Sequence, residues 1–234
     1  IDQSTQGTKA LLFDENGRML HREDLPHRQI VNEAGWVSHD PEEIYQNTLR
    51  VVKQLLVNTQ EGELRIDPAQ IAGVGISNQR ETALIWDRKT KKPLADAVVW
   101  QCSRSRGICD AIEAAGNGNI IRQKTGITLS PYFPASKLAW LIENVEGAAQ
   151  KARDGELGMG TIDTWLVYRL TGGVSYKTDY SNASRTQLFD IYKLRWDEEL
   201  CRIFGVLPEC LPQVCDSDSC FGMTDFEGLL PEAV

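Results

Sequence analysis

The run Ile71 to Thr82, IAGVGISNQRET, places an amide, a guanidinium and a carboxylate directly after small and β-branched residues. That composition predicts a buried strand, and ligands in α/β sheets bind just beyond the carboxyl ends of such strands. Arg80 donates through a planar fork and Glu81 accepts. Together they can meet the donor and acceptor demands of adjacent hydroxyls, which is the chemistry of polyol recognition. A site of this kind rejects an analogue that lacks a hydroxyl, because its own polar groups are then left unpaired. Successive strand residues point to opposite faces, so a shared site requires the strand to end before Arg80. A salt bridge at a sheet edge accounts for the pair equally well.

Three further groups carry chemistry. Trp100 follows Ala97-Val98-Val99, at the expected end of another strand. An indole there can lie against the carbon chain of a polyol and help exclude water, although a core tryptophan is the commoner use. Tyr132, just before Pro134, can add a hydroxyl to a pocket, with packing as the simpler role. The stretch Asp2-Gln3-Ser4-Thr5-Gln6-Gly7-Thr8-Lys9 sets a carboxylate before a turn rich in hydroxyls and backbone amides. Such a turn can cradle a phosphate through Thr5 and its amides, with Asp2 on Mg²⁺ through water and Lys9 neutralising developing charge. An ordinary hairpin with a polar lead-in is the alternative.

The 234 residues suffice for one large α/β domain or two small ones. A net charge of −8 argues against nucleic acid as a partner. No apolar run reaches the length of a membrane span and no signal-peptide pattern opens the chain, so a cytoplasmic location is expected. The six cysteines have no familiar metal spacing and read as free structural thiols. His21, His27 and His39 lack a paired nucleophile. No Ser-His-Asp order, P-loop or G-x-G-x-x-G is present. Ile1-Asp2 reads as the last step of a strand whose beginning is missing, so the chain is expected to be a piece of a longer protein.

The elements that must position these residues follow from periodicity. Gly7 to Leu20 reads as a hairpin turning at Asn16-Gly17 in a primed geometry. Asp40 caps a helix with Pro41 in its first turn and Glu43 closing a capping box; Ile44, Thr48, Val52, Leu55 and Leu56 share its inner face. A strand at 71–77, another at 82–87 and a third at 97–100 come next. Helices are expected from Ser103 to Gly116, from Lys137 to Val145, and from Thr161 to Leu170, the last stopped by Gly172-Gly173. Thr178 to Thr186 reads as a polar, hydrogen-bonded loop. The sum is α/β, a mixed sheet flanked by helices.

Taken together, several segments resemble the glycerol kinases of the FGGY carbohydrate kinase family. They are Asp-Gln-x-Thr at 2–5, GWVSHDPEEIY at 35–45, ISNQRET at 76–82, VVWQC at 98–102, TIDTWLVYRLTGG at 161–173 and TDYSNASRT at 178–186. Residues Tyr132 to Asn144 fit a signature of the wider family. The resemblance implies an actin-like, ribonuclease-H-like fold, with residues 1–234 as the amino-terminal, polyol-binding domain, its first strand truncated. The carboxyl-terminal ATP-binding domain lies outside this chain. It implies ATP and Mg²⁺ as cofactors, glycerol as substrate and a homo-oligomeric full-length protein. Arg80, Glu81, Trp100 and Tyr132 match the glycerol-contacting positions, Asp2 the Mg²⁺-linked carboxylate, and Thr5, Gln6, Gly7 and Lys9 the turn that touches nucleotide phosphates.

Two departures stand out. Ser4, Gln6 and Lys9 replace a glycine, a threonine and an arginine, so a side chain enters where close backbone approach was wanted and a bidentate fork is lost. The family's catalytic aspartate, in a Gly-Asp-Gln stretch, is expected beyond Val234, and this piece alone is expected to be inactive. The competing expectations are an FGGY kinase acting on a pentulose or tetritol, and a non-catalytic sensor of polyol or nucleotide.

Overall fold

The computed structural model describes residues 1–234. The chain opens with strands β1 (Asp2–Gln3), β2 (Gly7–Phe13), β3 (Met19–Pro26), β4 (Ile30–Val31) and β5 (Val37–His39), then helix α1 (Pro41–Glu61). Strands β6 (Ser77–Asn78), β7 (Ala83–Asp87), β8 (Lys92–Pro93) and β9 (Ala97–Val98) precede helices α2 (Arg106–Ala114), α3 (Gly118–Thr125), α4 (Pro134–Asn144) and α5 (Ala148–Arg153). Then come β10 (Leu157–Thr161), α6 (Ile162–Leu170), β11 (Lys177–Asp179), α7 (Tyr180–Ala183), β12 (Phe189–Asp190), β13 (Arg195–Trp196), α8 (Glu198–Phe204) and β14 (Gln213–Cys215).

Two sheets organise the chain. The first runs β3-β2-β1-β6, antiparallel except for the parallel pair β1–β6, with Asp2 opposite Ser77 and Gln3 opposite Asn78. The second runs β10-β7-β9-β5-β4, with β8 also on β7. Strand β7 is buried along its whole length because both faces are covered. Ala83 and Ile85 join a core that includes Leu138 and Leu141 of α4, while Leu84 and Trp86 join one that includes Ile162, Trp165 and Leu166 of α6. This is the two-residue side-chain period of a strand walled on both sides.

Helix α1 forms as its sequence dictates. The Asp40 carboxylate accepts from the Glu42 N–H at 2.8 Å and Pro41 takes the first helical position. Ile44, Thr48, Val52, Leu55 and Leu56 are all buried. Burying a side chain such as Ile44 contributes about 2 kcal/mol, more than the roughly 1 kcal/mol of the cap. Glu43 closes no capping box; its carboxylate accepts from the Arg28 N–H at 3.2 Å.

Four expectations are corrected. Residues 71–76 are not a buried strand: only Ser77–Asn78 pair, and Ala72 to Gly75 are exposed. Their ladder to β1 begins only where Gly75 and Ser77 bond Ile1, so β-rich composition finds no hydrogen-bonding neighbour before that point. The hairpin turn is not of the primed type, which needs φ > 0 at two residues. Only Gly17 has it, at 76°, and the Asp14 carboxylate accepts from the N–H groups of Asn16 and Arg18 instead. Helix α2 starts after Ser105 rather than Ser103, and the Ser105 hydroxyl bonds Ser136 rather than capping. Helix α4 begins at Pro134, and α3, α5 and β10 were not anticipated. All six cysteines are unpaired. No helix is long and apolar enough to cross a membrane.

Candidate functional site

The turn between β1 and β2 forms one end of the site. Asp2 and Lys9 face each other across the β1–β2 pair and form a half-exposed ion pair of 2.7 Å. Between them, the Ser4 N–H and hydroxyl both donate to the Gly7 carbonyl, at 2.9 and 3.1 Å. Ser4 needs no positive φ, so its side chain is accommodated; the close approach falls at Gly7 instead. A Cβ on Gly7 would stand 2.4 Å from the Leu25 carbonyl oxygen. The N–H groups of Thr5 and Gln6 make no hydrogen bond within the chain. They are free donors beside a half-exposed hydroxyl, a suitable arrangement for an anion.

Buried polar groups brace this turn from below. His27 bonds the Thr5 carbonyl through Nε2 at 2.9 Å and packs edge-on against His39, ring centroids 4.4 Å apart. Burial and the neighbouring His27 push His39 down to about 4, so both rings stay neutral near pH 7. Gln79 bridges the turn to β6: its amide contacts the Gln3 side chain at 3.0 Å and His39 Nδ1 at 3.3 Å.

The other end is a wall of rings and ions. Strand β6 ends at Asn78, so Arg80 and Glu81 lie in a turn and the alternation of a strand does not separate them. They nevertheless take different partners. The exposed Arg80 guanidinium donates to the Ser181 hydroxyl at 3.2 Å, whereas the buried Glu81 carboxylate accepts from Arg185 Nε at 2.7 Å. Arg185, not Arg80, is therefore the counter-ion of Glu81. Arg185 also lies over the Phe133 ring, 5.0 Å from its centroid. Trp100, two residues past β9, meets the half-exposed Tyr132 with ring centroids 5.6 Å apart.

A single bond joins the two ends: Trp100 Nε1 donates to the Thr5 hydroxyl at 2.9 Å. Thr5, Trp100 and Tyr132 thus form one contiguous surface, continued through Phe133 and Arg185 to Glu81. Arg80 stands beside it at Ser181.

Residues 178–186, read from the sequence as a hydrogen-bonded loop, instead begin in β11 and continue into α7, where the Asp179 carboxylate caps the helix; they supply Ser181 and Arg185. This segment is anchored on Asp163, buried at the start of α6. The Asp163 carboxylate accepts from the Thr178 hydroxyl at 2.6 Å, and Asn78 bridges it to Asn182. Burial without a cation raises Asp163 to about 6. Arg185 is the principal residue missed from sequence; its place inside TDYSNASRT was the one available signal.

Residues 1–228 match the N-terminal domain of the FGGY family of carbohydrate kinases. The chain belongs to this family, and its mixed sheets flanked by helices are the actin-like fold of those kinases. Among relatives, it is 48% identical over 234 residues to glycerol kinase 1 of Thermotoga maritima, covering all of this chain and 46% of that protein. The crystal structure of Plasmodium falciparum glycerol kinase with ADP superposes with a TM-score of 0.93 at 38% identity, over 100% of this chain and 46% of that one. A gluconate kinase from Lactobacillus acidophilus gives 0.78 at 26% identity, over 92% and 40%. The chain spans less than half the length of these relatives.

Proposed function

We propose that the full-length protein transfers the γ-phosphoryl group of ATP to a terminal hydroxyl of glycerol, and that this chain supplies the polyol wall and the phosphate-facing turn. The observation that carries the reading is the Trp100–Thr5 hydrogen bond, which sets an indole wall and a turn with free amides side by side. Phosphoryl transfer asks mainly for positioning and charge neutralisation, which suits such a site. Glycerol lies with its carbon face on Trp100 and its hydroxyls toward Arg80, Glu81 and Tyr132. Glu81 accepts a hydrogen bond from a substrate hydroxyl while its Oε1 is held by Arg185. The Thr5 and Gln6 amides, the Thr5 hydroxyl and the narrow backbone at Gly7 receive the nucleotide phosphates, with Lys9 neutralising charge.

Mg²⁺ fits this reading as a phosphate-borne ion. The chain holds no group of three His, Cys, Asp or Glu side chains suited to a metal, so no protein cage exists. Mg²⁺ is commonly held by one or two carboxylates, water and substrate phosphates, and Asp2, half-exposed beside the turn, is the carboxylate available. The ion would supply charge neutralisation on the phosphates. Asp2 and Glu81 are both held in ion pairs, at 2.7 Å each. The reading takes the general base from the second half of the protein, whose closure also excludes water.

A substrate panel on the full-length protein tests this. Glycerol is expected to be phosphorylated with release of ADP, far faster than xylulose, ribulose or gluconate. Faster turnover of a pentulose would reassign the substrate. Binding of glycerol and ATP with no ADP released would make the protein a sensor.

A further inference from the structure

Lys137, on the first turn of α4, is fully buried and forms no ion pair. Its Nζ donates to three consecutive carbonyls: Pro131 at 2.8 Å, Tyr132, and Phe133 at 3.2 Å. An ammonium has three N–H donors, so its capacity is filled. The arrangement is electrostatically costly. A buried cation loses its hydration, and a cation near a helix N-terminus opposes the helix dipole. Burial draws Lys137 down to about 7, against which the charge of Glu81 acts. A feature retained at such cost needs an explanation beyond packing, because an apolar side chain of equal volume would fill the same space.

The gripped carbonyls belong to the turn that shapes the polyol wall. Tyr132 faces Trp100, and Phe133 lies beneath the Arg185 guanidinium that holds Glu81. We propose that Lys137 is a positioning residue for polyol recognition, fixing the 131–133 turn from beneath so that the Tyr132 ring and the Arg185–Glu81 pair keep their places. The inference rests on the polyol reading of the niche and adds the group that holds its shape.

The test compares Lys137→Gln, which keeps two donors, with Lys137→Met, which keeps volume and donates nothing, in the full-length protein. KM for glycerol is expected to rise about threefold in the first and about tenfold in the second, with KM for ATP held within about twofold. Amide exchange at Phe133 and Ala135, measured without substrates, is expected to quicken in the same order. An unchanged glycerol KM in Lys137→Met overturns the proposal. So does an equal rise in the KM for ATP, which marks general damage. If the wild type phosphorylates no polyol, the reading of the niche fails, while the order of amide exchange still decides the grip. Should neither variant fold, ¹⁵N-lysine NMR of the wild type decides: slowly exchanging Nζ protons support the grip and rapidly exchanging ones overturn it.

Discussion

The turn at Ser4 to Gly7 and the wall at Glu81, Trp100 and Tyr132 meet at one hydrogen bond, yet they are built from different groups. The turn presents backbone: free amides at Thr5 and Gln6, a glycine pressed against the Leu25 carbonyl, and a serine that bonds locally. The wall presents side chains, each held by another: Glu81 by Arg185, Arg185 over Phe133, Tyr132 against Trp100. Backbone donors survive many changes of side chain, so the donors of this turn do not depend on the side chains of Ser4 and Gln6. The paired side chains are less forgiving where one is buried and charged, because loss of Arg185 leaves the buried Glu81 carboxylate unpaired.

That contrast can be broken most sharply at Arg185. Arg185→Ala leaves the Glu81 carboxylate buried without its counter-ion. We expect a loss on the order of 3 kcal/mol, read as a glycerol KM about 100-fold higher. A KM within a few-fold of wild type would show that the wall does not depend on this pair. At the turn, Gly7→Ala forces a Cβ against the Leu25 carbonyl. It should lower stability by about 2 kcal/mol in a urea titration while raising the KM for ATP more than that for glycerol. An ATP KM that stays put would detach Gly7 from the phosphates.

Acid should separate the two regions as well. Unfolded His39 takes a proton at its ordinary pKa of 6.5, whereas the folded residue does so only at about 4. Between those values the unfolded state binds more protons, so stability falls as pH drops through the window. Asp163 acts with the opposite sign: its folded pKa of about 6 exceeds the ordinary 3.8, so its contribution grows as pH falls. His39→Gln should therefore make the protein more acid-resistant between pH 6.5 and 4, by about 2 kcal/mol in denaturant midpoints followed against pH. Unaltered acid sensitivity would remove His39 from the account.

Smaller effects sharpen the picture. With Arg185 as the partner of Glu81, Arg80→Ala should raise the glycerol KM only about tenfold, by loss of direct hydroxyl contacts. A 100-fold rise would restore the Arg80–Glu81 pairing. Ser4→Gly removes one local bond and should cost under about 1 kcal/mol, with the KM for ATP nearly unchanged.

Helix α1, the β2–β3 hairpin and α6 were legible because their apolar period and their boundary residues agree locally, although the turn type of the hairpin and the capping box of α1 were not. The family was legible because the motifs keep their order. Residues 71–76 were misread because strand composition says nothing about whether a neighbour is present to pair. Arg185 was not legible as a site residue because its partner Glu81 lies 104 positions away, and Lys137 was not because a helix-opening lysine looks the same whichever way it points. The candidate contacts of Trp100 with Tyr132 lie between residues 32 positions apart, a proximity that only packing creates.

Strand β7 begins two residues after Glu81, and its side chains are sorted between two cores without a gap. A slip of one residue would send Trp86 into the space cut for Ile85 and would carry Glu81 about 3.3 Å along the strand axis. The strand thus works as a ruler. Its apolar teeth, seated in two cores, set the tolerance to which the carboxylate is placed.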